Sequence, residues 1–259
     1  MKRLFKLILI LSFFSLYSAQ TFAAEKVDYL KTDWSFKGLF GKFDRASLQR
    51  GYQVYTEVCA SCHSMKYLSY RNLSEEGGPE FSEAAAKAIA ASFEVKDGPN
   101  ADGEMFTRPG KLSDKFVMPY DNVKAAQAAN GGAYPPDMSV LVKARGGGVD
   151  YIYSLLQGYD DPPSGVTLDD GVYYNKYMYG NKIRMAAPLS DGIVEYSDGT
   201  NASVEQMSKD VTTFLMWPAE PHLEARHHMG FKAIVYLIIL TILVYFSMKK
   251  IWSRVESEV

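Results

Sequence analysis

A mostly α-helical domain followed by one transmembrane helix is the fold class that this sequence predicts. Three observations carry it. Apolar residues recur at helical spacing behind recognisable caps, strand signals are sparse, and a long apolar run stands near the C-terminus.

The elements follow in chain order. Lys2, Arg3 and Lys6 precede the apolar stretch Leu7 to Tyr17, and small residues run from Ser18 to Ala24. This predicts a secretory signal over 1–24, cleaved after Ala23 or Ala24, because the run is short for a bilayer. Residues 25–228 then form one exported domain, long enough for a core of its own. Leu48, Tyr52, Tyr55, Cys59 and Cys62 predict an amphipathic helix that starts near Asp44 or Ser47 and ends in the cysteine motif. Ser82 caps an Ala-rich helix to about Val95. Asp121 caps a helix to Ala129, closed by Asn130-Gly131. Asp137 caps a short helix through Arg145, stopped by Gly146-Gly147-Gly148, and Asp150 caps another through Gln157. Ser203-Val204-Glu205-Gln206 reads as a capping box before a helix to Trp217, and Pro218 and Pro221 then break the chain. Asp97 to Pro119 and Asp160 to Pro188 resist regular structure, the second with a short hairpin at most. Loops of this length in a compact domain are often functional.

The C-terminal run, Phe231 to Met248, would cover roughly 27 Å as a helix, enough to cross a hydrocarbon core. Lys232 can snorkel, and Trp252 is an interfacial anchor. Lys249, Lys250 and Arg254 put the C-terminus on the cytoplasmic side. The expected division is signal 1–24, exported domain 25–228, anchor 229–250 and tail 251–259.

Formal charge is −2 overall; the leader carries +3 and the segment from Met229 carries +2, so the exported domain carries −7. That excludes a basic nucleic-acid-binding surface. Acidic residues cluster at Glu75, Glu76, Glu80 and Glu83, and at Asp160, Asp161, Asp169 and Asp170. Such clusters either steer a basic protein partner or serve as a solvated face, and sequence alone leaves both readings open.

Both cysteines of the chain fall in Cys59-Ala60-Ser61-Cys62-His63, the Cys-x-x-Cys-His pattern of covalent c-type haem attachment. Two thiols at this spacing reach the vinyl groups on one side of a haem, and His63 then offers its imidazole as proximal axial ligand. A redox dithiol would sit beside a βαβ pattern, and none is evident. Half a zinc site would need a second ligand pair, whereas His222, His227 and His228 lie far along the chain. A disulfide across two residues gains little closure entropy. The expected cofactor is one covalently attached haem c.

For the sixth ligand a methionine suits an electron carrier, since Met/His coordination raises the potential. Met65 is too close to the motif, and Met138, Met207 and Met216 fall on predicted helices, where they fill core gaps. Met118-Pro119 and Met185-Ala186-Ala187-Pro188 each place Met in a proline-stiffened loop. They stand near parity, with a slight preference for Met185, whose loop precedes the last soluble helix.

Arg50-Gly51-Tyr52-Gln53-Val54-Tyr55 leading into Cys59-Ala60-Ser61-Cys62-His63-Ser64-Met65, Arg108-Pro109-Gly110-Lys111-Leu112-Ser113-Asp114, Pro135-Pro136-Asp137-Met138-Ser139, Ala144-Arg145 and Met185-Ala186-Ala187-Pro188 together carry a family likeness. The chain resembles the cytochrome c1 family, haem subunits of the quinol–cytochrome c reductase (cytochrome bc1) complexes of alphaproteobacteria and mitochondria. The resemblance implies a class I cytochrome c-like haem domain with long loop insertions. It implies thioethers at Cys59 and Cys62, with His63 and Met185 as axial ligands. It also implies a propionate partner in Arg145, and pocket positions at Asn130, Pro136 and Tyr151. A helix C-terminal cation is a compatible second role for Arg145. The implied function is electron transfer from a Rieske iron–sulfur protein to a soluble or membrane-bound cytochrome c, with no catalytic site of the chain's own. The implied partners are cytochrome b and Rieske subunits in a dimeric complex of the cytoplasmic membrane, with the haem domain on the periplasmic side. The second cysteine pair of some bacterial relatives is absent, so no structural disulfide is expected. Two rivals stand beside this reading: an anchored c-type subunit of another respiratory oxidase or reductase, and a haem enzyme with a vacant sixth site.

Overall fold

The computed structural model describes residues 27–256; the leader expected over 1–24 lies outside the described residues. Six α-helices and two small hairpins make up the described fold: α1 (Arg45–Glu57), α2 (Glu83–Ala91), β1 (Glu94–Asp97), β2 (Phe106–Pro109), α3 (Val123–Ala129), α4 (Gly148–Gln157), β3 (Tyr173–Tyr174), β4 (Lys182–Ile183), α5 (Val204–Ala219) and α6 (Leu223–Glu256). Short 3-10 turns cover Cys59–Ser61, Tyr70–Ser74 and Tyr179–Asn181. The fold is mostly helical, as expected.

The core forms where α1 crosses α5. Leu48 and Val54 from α1 and Met207, Phe214 and Leu215 from α5 are all at most 1% exposed. Such burial stabilises by about 1.5–3 kcal/mol per large apolar side chain, an upper bound against a partly collapsed unfolded chain. The helices approach so closely at Gly51 that a Cβ there would lie 2.1 Å from the Asp210 carbonyl oxygen and 2.7 Å from Phe214 Cβ. Beside the crossing, the fully buried Asp210 carboxylate accepts from Ser47 Oγ (2.6 Å), Arg50 Nε (2.8 Å) and Gln206 Nε2 (2.9 Å). The charge is tolerated because it is paired and hydrogen-bonded together. Around α1 an aromatic cluster joins Tyr52, Tyr55, Tyr70, Phe116 and Phe214, with centroids 4.9 Å apart for Tyr70 and Phe116.

Capping explains most helix starts. Asp44 accepts from the amides of Ala46 and Ser47, Ser82 from Ala85, and Ser203 from Gln206. Several local expectations are overturned by distant partners. The Asp137–Arg145 helix does not form; the segment is a run of turns. Its would-be cap is already engaged, since the Asp137 carboxylate accepts from Ser64 Oγ (2.8 Å), Lys66 N (3.0 Å) and Ser139 N (3.0 Å). Nor is Asp150 a cap: α4 starts at Gly148 behind Gly147, whose φ of +87° suits only glycine. Asp150 instead accepts from Trp34 Nε1 (2.7 Å), Lys31 Nζ (3.0 Å) and Lys37 Nζ (3.2 Å), strapping the N-terminal segment onto α4. α2 stops at Ala91 because Phe93 leaves the helix to stack on Tyr70 at 5.5 Å and its carbonyl accepts from Gly110 N. The chain then pairs as the β1–β2 hairpin inside a stretch expected to be irregular. The capping box is only half made, because Gln206 turns to Asp210. α3 is capped by Asn122, one residue after the expected Asp121. Pro218 sits in the last turn of α5 and does not end it, and the break falls between Ala219 and Leu223.

α6 extends further at both ends than the apolar run. It is one helix of 34 residues, about 51 Å long. Its most apolar window has a mean hydropathy of 2.2 and no burial against the domain, which fits a single-pass anchor.

Candidate functional site

α1 ends at Glu57, and the cysteine motif follows at once in the 3-10 turn Cys59–Ser61, not in the helix itself. The His63 and Cys62 amides both donate to the Cys59 carbonyl, at 2.8 and 3.1 Å, so the motif folds back on itself. Tyr55 Oη donates to the His63 carbonyl at 3.2 Å, tying the histidine to the preceding helix. His63 Nδ1 lies 2.8 Å from the Pro136 carbonyl oxygen. A carbonyl can only accept, so Nδ1 carries the proton and Nε2 keeps its lone pair. Asp137, next in sequence, pins the Ser64–Lys66 stretch that follows the motif.

These residues line a cavity of about 710 Å3 whose wall is mainly apolar. That volume is in the ~300–1,000 Å3 range of cofactor sites. Cys59, Cys62, His63, Asn130, Pro136, Arg145, Tyr151 and Met185 all line it. α4 supplies Tyr151, Ile152 and Leu155, and α5 supplies Val211 and Leu215, so the helices of the core also form the cavity wall. Asn130 spends its side-chain amide on Tyr120 Oη (3.1 Å) and Ala126 O (2.7 Å), closing α3. Arg145 is exposed at the edge, with Nη1 donating to the Ala144 carbonyl at 3.2 Å.

The methionines separate. Met65 and Met207 are fully buried in the core, and Met118 is 51% exposed and outside the cavity. Met138, Met178 and Met185 line it. Met178 Sδ accepts from Tyr151 Oη at 3.4 Å, and Met138 belongs to the segment bonded to Ser64 on the histidine side. Met185 is carried by the loop after β4, with its carbonyl held by Tyr159 Oη at 3.1 Å.

Three contributors were not foreseen. Arg184 lines the cavity beside Met185 and donates to the Gly131 carbonyl at 3.3 Å. Asp170 lines it from the long loop, and Tyr159 braces Met185. The sequence signals were the adjacency of Arg184 to Met185 and the place of Asp170 in an acidic cluster of the long loop; Tyr159 had none.

Electrostatics agree with a metal-binding imidazole and against a redox dithiol. Burial lowers the His63 pKa, outweighing the Pro136 bond and the Asp137 charge that favour the cation, so the neutral ring is preferred. Burial, helped by Cys62, pushes the Cys59 thiol up to about 12, whereas redox thiols work from a depressed value. Burial raises the Asp137 carboxyl, but hydrogen bonds from Lys66, Ser139 and Ser64 outweigh it and hold the group low. Among the described residues no group of three or more His, Cys, Asp or Glu converges. The residues present fit a haem: two thiols, an imidazole oriented through Nδ1, a thioether, apolar walls and a cation at the edge.

A helical domain built round a cavity with this donor set, joined to a membrane-length helix, is that of an anchored cytochrome. The chain belongs to the cytochrome c1 family, whose family model, described as "Cytochrome C1 family", matches residues 34–255. It is 52% identical over 239 residues to "Cytochrome b/c1" of Bradyrhizobium diazoefficiens, covering 85% of this chain but only 35% of that longer protein. It is 50% identical over 224 residues to the mitochondrial "Cytochrome c1-2, heme protein" of Solanum tuberosum, with 86% and 85% of the two chains covered. To "Cytochrome c1" of Rhodospirillum rubrum it is 46% identical over 242 residues, covering 87% and 88%. Family membership implies a haem cofactor.

Proposed function

We propose that this chain is the electron-transfer subunit of a quinol–cytochrome c reductase, taking electrons from a Rieske iron–sulfur protein and delivering them to a cytochrome c. The observation that carries the reading is the gathering of Cys59, Cys62 and His63 with the distant Met185 around one cavity. The family names support the setting, since the Bradyrhizobium relative is called "Cytochrome b/c1" and a Candida albicans relative a "Cytochrome b-c1 complex catalytic subunit".

Cys59 and Cys62 would hold one haem through thioethers, His63 and Met185 would ligate its iron, and Arg145 would pair with a propionate. Bound there, the haem would supply a one-electron iron couple. The chain's residues do the rest. Pro136 fixes the His63 ring and leaves Nε2 as donor. Tyr159 steadies the Met185 loop. Leu155, Val211 and Leu215 keep water off the cavity floor, which tunes the potential upward together with the thioether. Arg145 compensates carboxylate charge at the edge. The chain then divides into signal 1–24, periplasmic domain 25–228, anchor 229–250 and cytoplasmic tail 251–259, in a dimeric complex of the cytoplasmic membrane with a cytochrome b.

Purification from membranes tests this. A cytochrome b and a Rieske protein are expected to accompany the chain, and its low-spin haem is expected to ignore carbon monoxide. Terminal-oxidase polypeptides in their place, or a haem that binds carbon monoxide, would return the function to one of the two rivals.

A further inference from the structure

The segment before α1 descends along the first turns of α6. Arg45 clasps the Glu224 carboxylate with two nitrogens at 2.8 and 3.0 Å, and Phe43 N donates to the same group at 2.9 Å. His227 Nδ1 lies 3.0 Å from the Gly41 carbonyl oxygen. The Phe40 ring meets Phe231 edge-on at 5.4 Å. Residues 224, 227 and 231 are about one turn apart, so the chain from Phe43 to Phe40 moves about 10 Å along the helix axis. The movement is toward the apolar run, which begins at Phe231.

At the bottom of this descent is a built turn. Gly41 N donates to Gly38 O at 3.3 Å. Gly38 has φ +89°, and a Cβ on Gly41 would lie 2.4 Å from the Lys37 carbonyl oxygen. Both glycines are therefore required, and between them they hold Leu39 and Phe40 outward, 58% and 67% exposed. Lys37 faces the domain through Asp150, whereas Lys42, next after the turn, and Lys232, next after Phe231, are exposed.

We propose that the Gly38–Gly41 turn is a membrane-contact element. Leu39 and Phe40 enter the headgroup–acyl boundary of the bilayer beside α6, and Lys42 and Lys232 meet lipid phosphates. The proposal rests on the reading of α6 as the anchor. Lipid is the occupant because the turn is continuous with the bilayer-spanning surface through Phe40 and Phe231. An aromatic and a leucine flanked by lysines at that height also match the composition of membrane interfaces. Attachment at two points restrains tilt as one helix cannot. α1 starts directly after the turn and ends at the cysteine motif, so the restraint is passed to the cofactor cavity.

The test uses the assembled complex with haem bound, in vesicles of phosphatidylethanolamine and phosphatidylglycerol. Both native cysteines are consumed by the haem, so a nitroxide can be placed on Leu39→Cys alone. Val244→Cys and Phe246→Cys, about 200° apart on α6, provide the lipid reference from whichever faces lipid. Asp102→Cys, exposed in the β1–β2 hairpin loop, provides the aqueous one. With the haem reduced, accessibility to oxygen and to a water-soluble nickel chelate is read for each. The expected result is a gain of oxygen access and a loss of nickel access at position 39 relative to 102, in the direction of the lipid reference. Nickel access at 39 equal to that at 102, with a lipid-like reference on α6, would overturn the turn's role alone. Nickel access at both 244 and 246 would overturn the anchor reading and the proposal with it. Shielding of 39 from both probes would show a protein neighbour there and overturn lipid as the occupant.

Discussion

At the scale of single residues, the site depends on atoms with one available role. His63 is oriented by the Pro136 carbonyl, and Met185 is held by Tyr159 through its backbone, leaving its thioether to the cavity. Met185→Leu keeps apolar bulk and removes the sulfur. Potentiometric titration should give a fall on the order of 0.2 V, a fraction of the ~0.8 V that axial ligands span. Carbon monoxide should now bind, with the haem still covalently attached. Met118→Leu should change neither, because Met118 is outside the cavity; the opposite pattern would exchange the two assignments. Arg145 stands at the cavity edge with no acidic partner in hydrogen-bond reach among the described residues. Arg145→Gln should lower the potential by tens of mV, the size of a partly screened charge interaction of about 1–2 kcal/mol. Arg145→Lys should restore part of it, lacking the planar fork. An unchanged potential in the Gln variant counts against the propionate role.

At the scale of elements, the α1–α5 crossing is the part with least tolerance. Gly51 has Asp210 and Phe214 where a Cβ would go. Gly51→Ala should therefore separate the helices and cost about 1–3 kcal/mol, more than the alanine gains in helix propensity. A thermal melt should show a lowered Tm with helical circular dichroism largely retained below it; an unchanged Tm would mean that the crossing yields easily. The same scale explains why some helix expectations failed. Asp137 and Asp150 are good caps by residue type, yet Ser64, Lys66, Trp34, Lys31 and Lys37 take their carboxylates. A local pattern cannot register a partner 71 to 119 residues away. Asp44, Ser82 and Ser203 worked because their partners are the next three amides.

At the scale of the whole molecule, the acidic surface resolves into unequal parts. Glu80 pairs with Arg45 at 2.8 Å and Asp160 with Lys176 at 2.5 Å, so part of each cluster is compensated internally. Asp170 lines the cavity, which sets the Asp169-Asp170 pair at its edge, where a basic acceptor would dock under the proposed function. Electron-transfer rates to such an acceptor should fall as salt rises through the physiological range, where screening acts over about 8 Å. Asp169→Asn with Asp170→Asn should flatten that dependence, and Glu75→Gln with Glu76→Gln should leave it. Stopped-flow rates across ionic strength decide; a flat profile in the unaltered protein returns both clusters to a solvated face.

The sequence by itself determined what depends on spacing and composition. The cysteine motif, the apolar anchor, the helix starts with local caps and the helical class are all short-range or periodic properties of the chain. Family likeness added the pocket positions, which no periodicity encodes. Only the tertiary structure decided which methionines reach the cavity, because Met118 and Met185 look alike as proline-stiffened loops and differ only in where the surrounding helices put them. It alone brought Arg184, Asp170 and Tyr159 to the site, and it alone laid the Gly38–Gly41 turn against α6. Contacts between residues far apart in the chain depend on how α1, α4 and α5 pack, and close packing is a property of the assembled core, not of any segment.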